Sequence, residues 1–133
     1  MAQAENKQLI QSLYDAFAQG NAQYILDRVT DDVEWRNEGP ESVPYMGQFN
    51  GKAGVRRFFE QFATVQAGKV TAHEFIVTDD KVIALGRFTA TVTATRKKID
   101  AAIAHVFTIR DGKVTRWLGY GDTAASVEAY SAP

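Results

Sequence analysis

Apolar residues near the start of the chain recur at the period of a helix, and further on at the period of a strand. Leu9, Ile10, Leu13, Tyr14 and Phe17 fall on one helical face, and Gly20 is placed to stop that helix. Asn21 can cap a second, short helix carrying Tyr24, Ile25 and Val29. The period then drops to two. Val33, Trp35 and Asn37 alternate with Glu34, Arg36 and Glu38, which predicts a strand with one charged face. Its apolar row ends in an amide beside a tryptophan. Residues 39–51 hold two of the three prolines and three glycines and read as a loop. Asn50 or Gly51 then opens a third helix, with Val55, Phe58, Phe59 and Phe62 at helical spacing.

From Gly68 onward the pattern is that of strands. Asp79-Asp80, Arg96-Lys97-Lys98 and Arg110-Asp111-Gly112 separate four alternating segments and predict an antiparallel meander. Thr123 to Tyr130 can add a short helix. Helices first and an antiparallel sheet afterwards make the expected class α+β. In the third meander strand, Ala101, Ile103, His105, Phe107 and Ile109 share one face, and Ala102, Ala104, Val106 and Thr108 the other. Neither face is strongly polar, so the strand expects cover on both sides. The helices supply one cover. A second copy of the chain is the expected source of the other, which makes a homodimer.

Composition narrows the picture. The chain has 133 residues, 45% of them hydrophobic and 23% charged, which is ordinary for one folded domain spanning residues 1–133. A net charge of -1 gives no electrostatic pull toward nucleic acid or anionic membrane. There is no cysteine, hence no disulfide, thiolate metal site or cysteine nucleophile. The opening residues lack the apolar core of a signal peptide, and no apolar run reaches the roughly 18 residues of a membrane span. The expected location is the cytoplasm. His73 and His105 lie far apart with no clustered carboxylates, and no glycine-rich phosphate loop opens a helix, so neither metal nor organic cofactor is expected.

The strings "LYDAFAQGN", "DDVEWRN", "GVRRFFEQF" and "HVFTIRDGKVTRWLGYGD" resemble the SnoaL-like group of the nuclear transport factor 2-like superfamily, which includes ketosteroid isomerases, limonene epoxide hydrolase and polyketide cyclases. The resemblance covers Asn6 to Asp122. It implies a cone: a strongly bent antiparallel sheet wrapped around N-terminal helices, enclosing a pocket. It also places residues. Tyr14 matches the oxyanion-hole tyrosine of ketosteroid isomerases, His105 the position of their protonated aspartic acid, and Asn37 that of their aspartate base. Trp35 and Asn37 match a water-holding Tyr and Asn of limonene epoxide hydrolase, and Arg87 matches its arginine, whereas its two aspartates fall on Thr89 and Gly119. An amide cannot act as a carboxylate base, so neither reaction carries over intact.

The expected site follows. Tyr14, Asn37 and His105 are the candidate catalytic residues, with Tyr14 and His105 donating together to one ligand oxygen. Trp35, Phe58, Phe62, Arg87 and Trp117 are the candidate substrate-binding residues. Strict alternation turns Glu34 and Glu38 to solvent, although a bulge before Gly39-Pro40 would swing Glu38 inward as a base. The expected function is a small-molecule pocket, as an enzyme on a small apolar carbonyl, hydroxyl or epoxide compound (an isomerase, cyclase or hydrolase). The alternatives are a non-catalytic binding module for a lipid-like or aromatic ligand, and a dimerisation domain.

Overall fold

A computed structural model describes residues 2–131. Helix α1 (Ala2–Ala18) ends where Gly20 takes a φ of +70, and the Asn21 amide donates back to the Ala16 carbonyl at 2.8 Å. Asn21 then caps α2 (Ala22–Leu26), its side-chain oxygen accepting from the Tyr24 amide at 3.1 Å. This helix is shorter than its apolar pattern implied. Val29 already belongs to strand β1 (Val29–Asn37), where it is fully buried. Within the expected loop a two-residue strand, β2 (Gly47–Gln48), pairs with the end of β1. Helix α3 (Gly51–Glu60) runs into a 3₁₀ turn over Gln61–Thr64. Asn50 precedes α3 but does not cap it with its side chain, because its Oδ1 accepts from the Trp35 amide of β1 at 3.1 Å.

The meander forms as its turn signals predict: β3 (Val65–Val77), β4 (Lys81–Val92), β5 (Lys98–Arg110) and β6 (Lys113–Gly121), followed by α4 (Thr123–Tyr130). Six strands make one curved, unclosed sheet in the order β2-β1-β6-β5-β4-β3. Every neighbouring pair is antiparallel except β1 and β6, which run parallel with Trp35 opposite Trp117 and Asn37 opposite Gly119. The fold is therefore the expected α+β cone, with one parallel seam in its sheet.

The helices and the inner sheet face share one core. Ile10, Leu13, Ile25, Val55 and Phe58 from the helices are buried against Val33, Trp35, Val82, Ala84, Phe107 and Trp117 from the strands. The outer sheet face keeps the other apolar row of β5 and its neighbours, with Tyr120 and Ile76 openly exposed. Among the described residues no helix is long and apolar enough to cross a membrane.

Gly86 tests the close approach of β3 to β4. A Cβ there would overlap the Thr71 carbonyl, next to the point where the β3 register shifts between Ala72 and Glu74. Neither backbone can yield without losing ladder hydrogen bonds. Gly86→Ala is expected to cost about 1–3 kcal/mol in chemical denaturation, the usual scale of overpacking. Gly112→Asn, in a turn at φ +76 with open space around it, is expected to be near neutral.

Candidate functional site

A cavity of about 100 Å³ opens between α1, α3, the 39–46 loop and the inner sheet face. Aromatic rings build most of its wall. The β1–β6 seam stacks Trp35 on Trp117, with centroids 4.7 Å apart and planes 26° apart. Phe58 meets both indoles edge-on or tilted, at 5.6 and 5.3 Å, and Phe62 stacks on Tyr45 at 4.8 Å. Such offset and edge-to-face pairs hold one another in orientation as well as burying area.

Within this apolar wall sits one polar pair. The Tyr14 hydroxyl lies 2.7 Å from His105 Nδ1, and the two rings stack at 5.9 Å. Helix α1 supplies Tyr14 one turn after Ile10. Strand β5 supplies His105 from the row of Ile103 and Phe107, held edge-on to Trp117 at 5.0 Å. Burial away from solvent pushes the Tyr14 phenol above its ordinary value and lowers His105 to about 3. Both groups are thus neutral at physiological pH. The pair then owns two hydrogens, one O–H and one N–H, and the internal bond uses one of them. In either tautomer of His105 one donor remains free for a ligand. This differs from the expected arrangement, in which both side chains donated directly to one oxygen.

Tyr14, Trp35, Asn37, Phe58, Phe62, His105 and Trp117 all line the cavity. Arg87 does not. On β4 it stands opposite Ala102, on the outer sheet face with Ile83, Leu85 and Thr89, and its Nε donates to Asp100 at 2.7 Å in an exposed ion pair. The inner row of β4 is Val82, Ala84, Phe88 and Ala90, and Ala84 is the partner of His105. The assignment of Arg87 to substrate binding fails on this phase: a buried lone guanidinium is costly, and the fold keeps it out. Asp122, a suggested partner for it, instead caps α4 by accepting from the Ala125 amide at 3.1 Å.

Asn37 reaches the cavity because Gly119 lies opposite. A Cβ on Gly119 would sit 2.5 Å from both Asn37 Oδ1 and the Trp117 ring. The Asn37 amide donates to the Tyr45 carbonyl at 3.0 Å and ties the 39–46 loop across the cavity. That loop brings Tyr45 and Met46 into the wall, which the sequence reading missed; three large apolar residues, Val43, Tyr45 and Met46, in a proline-glycine segment were the available signal. The buried Tyr45 hydroxyl lies beside Ser126 and Tyr130 without hydrogen-bond geometry to either, and the buried Trp35 Nε1 also has no partner among the described residues. Glu38 lines the cavity too. Its amide still bonds to the Gly119 carbonyl at 2.9 Å, but the chain leaves the sheet at Gly39, whose φ is +152, and the half-exposed carboxylate pairs with Arg36 at the mouth. Among the described residues no three histidine, aspartate or glutamate side chains converge as a metal set would.

The SnoaL-like domain model matches residues 10–117. No curated protein matches the chain. Among solved structures, TerC co-crystallized with polyporic acid is similar at 28% identity and a TM-score of 0.84, covering 95% of this chain and 98% of its own. An NTF2-like protein of unknown function from Burkholderia pseudomallei is similar at 22% identity and a TM-score of 0.86, covering 96% and 98%. A hypothetical protein with a ketosteroid isomerase-like fold from Catenulispora acidiphila, in complex with trimethylamine, has 11% identity and a TM-score of 0.79, covering 94% and 93%.

The lowered His105 predicts acid sensitivity. Its unfolded-state value is near 6.5 and its folded value about 3, so below pH 6.5 the unfolded chain takes up a proton that the folded chain refuses. The stabilisation is full above pH 6.5 and is lost progressively toward pH 3. Melting temperatures measured from pH 7 to 4.5 should fall in the wild type and fall less in His105→Gln. Identical slopes would contradict a desolvated, neutral imidazole in the folded chain.

Proposed function

The chain belongs to the SnoaL-like family, and on that premise we propose that it binds a planar carbonyl compound and catalyses proton transfer beside the carbonyl. The observation that carries this reading is the Tyr14–His105 pair, which keeps one donor free within an aromatic wall. Aromatic faces suit a flat conjugated ligand. A donor in a water-poor site is worth most where negative charge develops, as on the oxygen of an enolate. The TerC structure is of a protein co-crystallized with polyporic acid, which supports an oxygenated aromatic ligand class.

The base is assigned to Glu38. Asn37, which lines the wall where ketosteroid isomerases keep a carboxylate, has no proton to move and serves to orient the ligand. Of the two carboxylates that line the cavity, Asp122 is held by its cap on α4, and Glu38, at the mouth, leaves Arg36 as ligand enters. It removes a proton from the carbon next to the carbonyl. The C–H electron pair moves into the new C=C bond, the carbonyl oxygen becomes an enolate held by the free donor, and the carboxylic acid returns the proton at the same or a conjugated carbon. Trp35, Trp117 and Phe58 hold the plane of the ligand, and Phe62 bounds its far edge. A binding module without turnover is the second reading, favoured by the ion pair that occupies Glu38.

2-Tetralone separates the two. The enzyme should speed exchange of its α-protons with deuterium oxide, followed by NMR. Glu38→Gln should abolish that rate while leaving the dissociation constant within about two-fold. His105→Ala should weaken binding by about 1–3 kcal/mol, the scale of a lost buried hydrogen bond. Binding without exchange in the wild type selects the non-catalytic reading, and equal affinity in His105→Ala removes the site assignment.

We propose further that a second copy covers the outer sheet face, where Leu85, Ala104, Val106 and Leu118 form an apolar patch around Tyr120. Sedimentation at micromolar concentration should give twice the 14.7 kDa chain mass, and a monomer throughout that range would refute it.

A further inference from the structure

A second cavity, of about 240 Å³, lies beyond the first, between the α1–α2 junction and the start of β3. Four side chains, Phe17, Ile25, Phe59 and Phe62, border both spaces. Among them, Phe17 and Phe62 meet edge to face at 5.3 Å. Both are only partly buried, unlike their neighbour Phe58 at 4% exposure, because each has open space on its far side. Both also stand near the ends of elements. Phe17 is one residue from the end of α1, and Phe62 lies in the 3₁₀ turn, a more weakly bonded segment than a helix interior.

The far end is held open by the backbone. At the start of β3 the register shifts between Gln66 and Lys69, and Ala67 takes a φ of +54, so the strand bulges beside Gly68 at the cavity wall. The second space is more than twice as large as the first; apart from Asn21 its lining side chains are apolar, and it opens to solvent beside Gly20, Asn21 and Gly68, which are exposed.

We infer that the two cavities form one elongated site, divided by Phe17 and Phe62, which takes carbonyl compounds bearing a long apolar tail. The head oxygen sits on the Tyr14–His105 pair, and the tail passes the two rings into the space beside Gly68 and Ala22. Phe17 and Phe62 move aside as it enters, and the second cavity sets the tail length accepted. The head-group placement rests on the function proposed above; the tail placement does not.

The test uses the straight-chain ketones 2-hexanone to 2-dodecanone, titrated calorimetrically. In the wild type, affinity should rise about four-fold per methylene, the value of burying one CH₂, until the second cavity is full, and then level off. Gly68→Leu and Ala22→Leu fill that cavity from opposite walls. A Cβ on Gly68 would meet only Val65 and Phe88, at 3.6 and 3.9 Å, so the substitution is sterically mild. Both variants should bind 2-hexanone as the wild type does and bind 2-dodecanone at least ten-fold more weakly. A wild type without chain-length gain, or variants with unchanged profiles, would overturn the inference. His105→Ala across the same series reports the head group separately: loss of affinity independent of length supports that reading, and no loss defeats it while leaving the length profile to judge the tail.

Discussion

The parallel pairing of β1 with β6 is the contact on which the site depends. It sets Trp35 opposite Trp117 and Asn37 opposite Gly119, and so builds one wall of the cavity from two distant parts of the chain. A parallel pair needs a long crossover, and here the crossover is everything from β2 to β5. The seam tolerates the two indoles because Phe58 packs against both, and it tolerates Asn37 because Gly119 has no side chain. With any other residue at 119, the amide and the Trp117 ring would compete for one space.

Around that seam the wall is aromatic, and this sets the electrostatics of what it encloses. A partly buried imidazole packed among aromatic rings, with only a phenol as partner, is kept neutral by desolvation, and the phenol stays protonated for the same reason. The pair offers directional hydrogen bonding without carrying charge. A neutral donor costs less to bury than a cation. In the proposed reaction the negative charge develops on the substrate oxygen, and proton transfer falls to a partly solvated carboxylate, Glu38, at the end of β1 beside Arg36.

Membership of the SnoaL-like family accounts for the scaffold and leaves the chemistry to particular positions. At the end of β1 stands the pair Asn37-Glu38. The amide lies on the strand row that faces the cavity, and the acid follows at the point where the chain turns out of the sheet. The Asn37 side chain is a structural tie, holding the Tyr45 loop over the cavity through a bond to its carbonyl. That loop then contributes part of the wall that closes around Phe62.

Local pattern was enough for much of this. The period of the apolar residues located three of the helices and the four meander strands, the polar turns at 79–80, 96–98 and 110–112 located their hairpins, and the alternation in β5 put His105 on the row of Phe107. Tyr14, Trp35 and Asn37 were readable for the same reason, each lying on a face whose neighbours are apolar. Arg87 was not. Both rows of β4 contain large apolar residues, Val82, Ala84 and Phe88 on one side and Ile83 and Leu85 on the other, so period two alone leaves the phase open. Pairing with β5 resolves it, by setting Ala84 against His105 and Arg87 against Ala102. The parallel seam, the turn of Glu38 to the mouth and the folding of Tyr45 into the wall were hidden in the same way. Each depends on a contact between residues far apart in the chain, and alternation along a strand carries no information about which strand lies beside it.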